Sequence, residues 1–352
     1  METDHWPPAH FHRLTGRIYA HHFSRKRTMH IAIPDDYQDC VRGLACYARL
    51  AGHDVTIFND TVKDIDTLAR RFQDADCIVL TRERTQVGEE LLRRLPRLRL
   101  VSQIGKTAPH IDIAACTAHG VAVAEGSGSG AATAELTWAL MLASRRHLVA
   151  EANRLRAGQW QHTLGQELRG QRLGVWSYGR IGRQVVDYGR AFGMRVWVWG
   201  GPESTARARA DGIDVAPTRA AFFSESDIVT LHLRLGPATR GAIGADDLAR
   251  MKPDALLVNT SRAELIAPGA LEAALRQGHP GYAAVDTFES EPVLGADHPL
   301  LHLDNALCTP HLGFVERDNY EAYFGTAFDN INAFFAGRPV NLVNPEAVGR
   351  RA

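Results

Sequence analysis

The sequence is short of cysteine, and the five it has, Cys40, Cys46, Cys77, Cys116 and Cys308, stand far apart. No C-x-x-C pair occurs, so neither a zinc site nor a disulfide framework is indicated. A reducing, cytoplasmic setting is the simplest expectation. Charge of one sign is also missing, since 40 basic residues balance 40 acidic ones. That leaves no broad basic face for nucleic acid and no acidic tail. Long apolar runs are absent too. The densest, "LTWALMLA", is about half the roughly 20 residues that span a bilayer, so no membrane segment is expected. Two shortages are local. In "GVWSYGRIG" the first glycine of a G-x-G-x-x-G turn is replaced by Ser177. The next strand ends "VWVWGGPES", with Gly200 where a dinucleotide fold that prefers NAD carries a carboxylate.

What is present points to a chain of two domains, because 352 residues exceed a single ordinary core. Residues 1–28 differ from the rest: Pro7, Pro8, five histidines and the basic run Arg25 to Arg27, with no apolar core of a signal peptide. His10-x-His12 and His21-His22 imply no ordered second shell, so no metal is expected there. The segment reads as a disordered extension, or as residues ahead of a start at Met29.

From Met29 apolar β-branched runs alternate with helical spacing. "HIAI", "DVTIF", "DCIVLTRE", "LRLVSQIG" and "VAVAEG" read as strands, with a helix starting at Asp35 and Asp36 and helical spacing at Leu91, Leu92 and Leu95. A long helical segment, "SGSGAATAELTWALMLASRRHLVAEANRLRAGQW", follows as a candidate for a helix crossing between domains. Six more strands come next: "RLGVWS", "RVWVW", "DIVTLHL", "ALLVNTS", "YAAVDTF" and "NALCTP". A last helix, "VERDNYEAYFGTAFDNINAFFAG", precedes an extended tail, "RPVNLVNPEA". The fold class is therefore α/β, with doubly wound parallel sheets covered on both faces.

The glycine loop has a physical task. Gly179 stands where backbone approaches a pyrophosphate, and Gly182 where helix meets strand. Ser177 is small, and a turn position that does not need positive φ accepts it. A strand–turn–helix without ligand is the plain alternative.

Three later motifs weigh against that alternative. "VNTSRAEL", "VDTFESEP" and "CTPHLGF" place Arg262, Glu291 and His311 just beyond successive strands. In an open α/β sheet ligands bind outside the carboxyl ends of strands. A guanidinium clamps a carboxylate, a histidine moves a proton near neutral pH, and a glutamate beside it orients the ring. Singly, each residue has a dull reading as surface, turn or cap. Their joint placement does not.

These motifs, with "SYGRIG", "LHLRLGPATRGAIG", "MKPDALLVNTSRAEL" and "AGRPVNLVNP", resemble the D-isomer-specific 2-hydroxyacid dehydrogenase family, in its phosphoglycerate-dehydrogenase-like branch without a regulatory domain. The resemblance covers about Met29 to Pro345. It implies a Rossmann nucleotide domain (129–312) inserted in a flavodoxin-like substrate domain (29–128 and 313–346). It implies interconversion of a D-2-hydroxy acid and its 2-keto acid with NAD or NADP, and a homodimer with the helix near Ala131 to Arg146 in the interface. Arg262, Glu291 and His311 are its catalytic set. Gly105, Lys106 and Arg262 would meet the substrate. Ser177, Tyr178, Gly179, Arg180, Ile181 and Gly182 would meet the pyrophosphate, and Gly200, Leu233 and Arg234 the adenosine. Thr260, Ser261, Asp286 and Gly313 would line the nicotinamide side. The sequence departs from the pattern at Ser177, at Gly200, at Lys106 and Thr107 in "QIGKTAPHID", and at Ala263. Gly200 leaves a 2′-phosphate unrepelled. The competing reading is an NAD(H)-sensing, corepressor-like scaffold of the same fold. Formate oxidation is disfavoured, because formate enzymes of the family carry an amide where Glu291 stands.

Overall fold

The computed structural model describes residues 28–350. The histidine-rich extension thus falls, but for Thr28, outside the described residues. Two parallel sheets organise the chain. The first holds β1 (His30–Ile33), β2 (Asp54–Ile57), β3 (Cys77–Leu80), β4 (Leu100–Gln103) and β5 (Ala122–Glu125) in the order β2-β1-β3-β4-β5. The second holds β6 (Arg172–Trp176), β7 (Arg195–Trp199), β8 (Asp214–Val215), β9 (Ile228–Leu231), β10 (Leu256–Asn259), β11 (Tyr282–Val285) and β12 (Ala306–Cys308) in the order β12-β11-β10-β9-β6-β7-β8. The first order is flavodoxin-like and the second is of Rossmann type. Each reverses direction once, and such a reversal opens a crevice at the carboxyl ends of the strands.

Both sheets are apolar on both faces, as burial from two sides demands. The helix Arg317–Phe335 lays Tyr320, Phe324, Phe328 and Ile331 against Ile31, Ile33, Val79 and Leu100 of the first sheet. Phe72, Leu91, Leu92 and Leu95 cover its other face. In the second sheet, Trp138 and Met141 of the helix Ala131–Arg145 join Val185 and Val186 of the helix Arg180–Ala191 on one face. Phe222, Phe223, Leu248 and Leu275 fill the other. The tail reads as extended and is so as far as Asn344: Leu342 bridges Ala124 of β5, and buried Asn344 accepts from Val123 N at 2.7 Å, but Pro345–Ala347 closes into a 3-10 turn. No helix among the described residues is long and apolar enough to cross a membrane.

Three expectations change. No α-helix starts at Asp35 and Asp36. Asp36 takes the amides of Cys40 and Val41 on its carboxylate, and two 3-10 turns follow, Val41–Gly43 and Ala45–Leu50. Between them Leu44 falls into extended backbone and is buried. The long helical segment is two helices, Ala131–Arg145 and Leu148–Arg156. Arg145 is drawn inward to the carbonyls of Asp227 (2.5 Å) and Asp254 (2.6 Å), and His147 turns to φ 50° beside it. The second sheet also has a seventh strand, β8, whose two residues are too few to show a period.

Candidate active site

The glycine turn links β6 to the helix Arg180–Ala191. Ser177 N donates to Trp199 O (2.7 Å), and Tyr178 N donates to Ser204 Oγ (2.6 Å). A Cβ on Gly182 would stand 2.2 Å from the Ser177 carbonyl oxygen, so only glycine fits. Over Gly179, the N-cap, no atom lies within 4 Å of a Cβ position. Open space above unpaired helix amides is what a phosphate requires. Ile181 is half-buried beside them, and Arg180 is tied to Gly128 O at 3.1 Å. The expectation that Ser177 occupies a position with negative φ is overturned: φ is 83°. The strand must reverse into the helix within three residues, which forces left-handed backbone whatever the side chain.

The adenosine end has its own arrangement. A Cβ on Gly200 would meet Ser204 Oγ at 3.0 Å and Ser204 Cβ at 3.2 Å, so Ser204 crowds a carboxylate at this place. Gly201 has open space. Glu203 is 92 % exposed and lies 3.8 Å from Arg207. Leu233 is half-buried and Arg234 exposed, just past β9.

Arg262, Glu291 and His311 follow β10, β11 and β12 in turn. His311 Nδ1 lies 2.7 Å from Glu291 Oε2, and Phe288 N donates to Glu291 Oε1 at 3.0 Å. Burial works to raise the Glu291 pKa. The His311 hydrogen bond and charge, with Arg84, outweigh it and bring the carboxyl down to about 2. Glu291 is therefore a carboxylate at neutral pH, and Nδ1 must be the donor, which leaves Nε2 as the other ring nitrogen. His311 itself has φ 53°. Arg262 donates through Nη1 to Ser261 O and through Nη2 to Glu83, both at 2.6 Å.

The loops around them are fastened by neighbours. Thr260 Oγ1 meets Thr137 Oγ1 at 2.7 Å, and Ser261 Oγ donates to Leu231 O at 2.7 Å. Buried Asp286 accepts from Thr309 Oγ1 (2.6 Å), Leu312 N (2.7 Å) and Gly313 N (2.8 Å), so it holds the His311 turn in shape. On the side of the first sheet, Gly105 has φ 86°, and a Cβ there would strike Arg82 Nη1 at 2.8 Å. Lys106 is paired with Glu125 and largely exposed.

Comparison with known proteins decides what this architecture belongs to. The model of the D-isomer specific 2-hydroxyacid dehydrogenase NAD binding domain matches residues 138–313. The chain is 37% identical over 297 residues to a glyoxylate reductase of Aeropyrum pernix, covering 80% of this chain and 87% of that protein. The chain belongs to the D-isomer specific 2-hydroxyacid dehydrogenase family. It is also 36% identical over 283 residues to a D-3-phosphoglycerate dehydrogenase of Methanocaldococcus jannaschii, covering 79% of this chain and 53% of that protein. A phosphoglycerate oxidoreductase structure from Vibrio cholerae superposes with a TM-score of 0.86 at 48% identity, covering 88% of this chain and all of that one (100%). As a member, the chain is an oxidoreductase that interconverts 2-hydroxy and 2-keto acids with NAD or NADP.

The sequence reading missed this dehydrogenase's loop after β3. Arg84 Nη1 lies 2.6 Å from Glu291 Oε2, and Glu83 lies on Arg262. Arg82 packs over the rings of Phe314 (5.3 Å) and Tyr323 (5.9 Å). The signal was present in "TRERT": three charges directly after the apolar run of β3, at the carboxyl end of a strand flanking the sheet's reversal. Buried His110 completes the group, with Nε2 3.3 Å from Gln103 Oε1. Burial lowers its pKa to about 4.

Proposed function

We propose that His311 is the acid/base of this dehydrogenase, that Glu291 orients it, and that Arg262 receives the substrate carboxylate. The observation that carries this reading is the ionised Glu291 on Nδ1 of His311, beside an arginine that follows the neighbouring strand. When bound, the nicotinamide supplies hydride to the keto carbon or takes it back from the hydroxy acid. In reduction, His311 Nε2 gives its proton to the carbonyl oxygen. In oxidation, it removes the hydroxyl proton. Glu291 stabilises the imidazolium and fixes the tautomer. The guanidinium of Arg262 suits a carboxylate and polarises the adjoining carbonyl.

The residues fit a dinucleotide. Gly179 leaves room at the helix N-terminus, and Gly182 keeps the turn tight. We assign the nucleotide domain to 129–312 and the substrate domain to 29–128 with 313–346. Packing of the helix Arg317–Phe335 on the first sheet supports this division. The substrate is a small 2-keto acid or D-2-hydroxy acid, and glyoxylate and hydroxypyruvate are the first to try. A cytoplasmic setting agrees with five free cysteines.

The test mixes the purified protein with NADH or NADPH and each keto acid, and follows the loss of reduced cofactor. His311→Gln is expected to lower turnover roughly 10²–10⁴-fold while cofactor binding persists. Near-normal turnover in that variant would remove His311 from the role.

A further inference from the structure

Glu291 Oε2 has two partners. His311 Nδ1 lies 2.7 Å away and Arg84 Nη1 2.6 Å away. The two come from different sheets: His311 follows β12, whereas Arg84 follows β3. Arg84 is 7 % exposed, with Nε buried and unpartnered, and its guanidinium lies 5.7 Å from the centre of the Tyr37 ring. A buried arginine–carboxylate pair is a poor source of stability, because desolvation offsets the attraction. It is a good means of setting how strongly one carboxylate oxygen holds a second donor.

We infer that Arg84 is a positioning residue for proton transfer, acting through Glu291 from across the crevice. This rests on the assignment of His311 as acid/base. Two consequences follow from the shared oxygen. Arg84 holds Glu291 Oε2 from the first sheet while Phe288 N holds Oε1 from the second, so the carboxylate that orients the ring is fastened from both sheets. Arg84 also draws on the same negative charge that stabilises the imidazolium, which leaves His311 a readier proton donor to a keto oxygen. Other charged or titratable groups bear on the ring and its partners. Asp286 lies on the His311 side, Asp35 and Tyr37 lie around Arg84, and the Glu83–Arg262 pair closes the other flank. None of these bonds Glu291 Oε2.

The test is the pH dependence of kcat/KM for keto-acid reduction in wild type, Arg84→Met and Arg84→Lys. Reduction needs the protonated ring, so the rate falls on the alkaline side. In Arg84→Met the guanidinium no longer shares Glu291 Oε2 with His311, and the alkaline limb is expected to move up by about one pH unit as the plateau falls. Arg84→Lys keeps the charge but loses the rigid, planar guanidinium that places Nη1 on Oε2, so its plateau is expected to fall with the limb in place. Binding of the reduced cofactor, read by protein fluorescence, checks that each variant is folded. A limb that stays put in Arg84→Met overturns the inference, even if the rate drops, because a merely structural arginine would do that. Should the Met variant not fold, a wild-type plateau in Arg84→Lys overturns it. Absence of keto-acid turnover in the wild type would instead refute the functional reading itself.

Discussion

At the scale of single residues, Ser177 is held in backbone that glycine adopts without cost. For other residues the left-handed region costs about 1–2 kcal/mol. Among the described residues no side-chain hydrogen bond of Ser177 offsets this; its backbone N donates to Trp199 O. Ser177→Gly is therefore expected to raise unfolding stability by about 1 kcal/mol. Denaturant titration of both proteins measures it, and a destabilised glycine variant would mean that the serine hydroxyl has a structural partner. His311 shares the left-handed backbone but has a different reason for it. Asp286 gathers the Thr309 hydroxyl and the Leu312 and Gly313 amides on one carboxylate, which bends the turn that presents the imidazole.

At the scale of elements, the junction from β7 to the helix Pro202–Ala210 is where NAD and NADP are expected to be told apart. No carboxylate stands at Gly200, and Glu203 points to Arg207 and solvent. The wild type is expected to use NADPH at least comparably to NADH. Gly200→Asp would press on Ser204, which supports Tyr178 N. Gly201→Asp meets open space at a helix N-cap and is the cleaner change. It is expected to shift the kcat/KM ratio toward NADH by about 5- to 150-fold, the worth of roughly 1–3 kcal/mol. A wild-type preference for NADH beyond about a hundredfold would refute the reading of this junction. The same elements show what the sequence made legible. Strands such as "CIVL" and "LLVN" declare themselves because burial on both faces makes them continuously apolar. Arg262, Glu291 and His311 could be read as candidates because each follows such a run. The break at His147 was not, because it depends on distant carbonyls that receive Arg145. Glu83 and Arg84 carried a local signal, charges at the carboxyl end of β3, but nothing local says that this loop of one sheet meets loops of the other. The crowding of Gly200 by Ser204, a helical turn away, is likewise not legible locally.

At the scale of the whole molecule, the helix Ala131–Arg145 buries Trp138, Leu140 and Met141 in its own chain. The apolar surface lies just beyond, where Leu148, Val149, Leu155, Trp160 and Leu164 are all exposed. A cluster of this kind marks an association surface. A homodimer, expected near Ala131 to Arg146, is tested at these exposed residues. Leu155→Glu together with Trp160→Glu is expected to leave monomers at micromolar concentration in sedimentation velocity. A dimer that survives both changes lies elsewhere.

The helix Arg317–Phe335 completes the core of the first sheet, yet the whole second sheet is synthesised between them. During translation the strands of the first sheet emerge with Ile31, Ile33, Val79 and Leu100 uncovered, and the helix that covers them leaves the ribosome only after the whole second sheet. The second sheet, contiguous in sequence, can fold while the first still waits. The first sheet is thus begun before the second and finished after it. Its nascent form exposes an apolar face for as long as the intervening residues take to be made, and that interval is when a chaperone has most to bind.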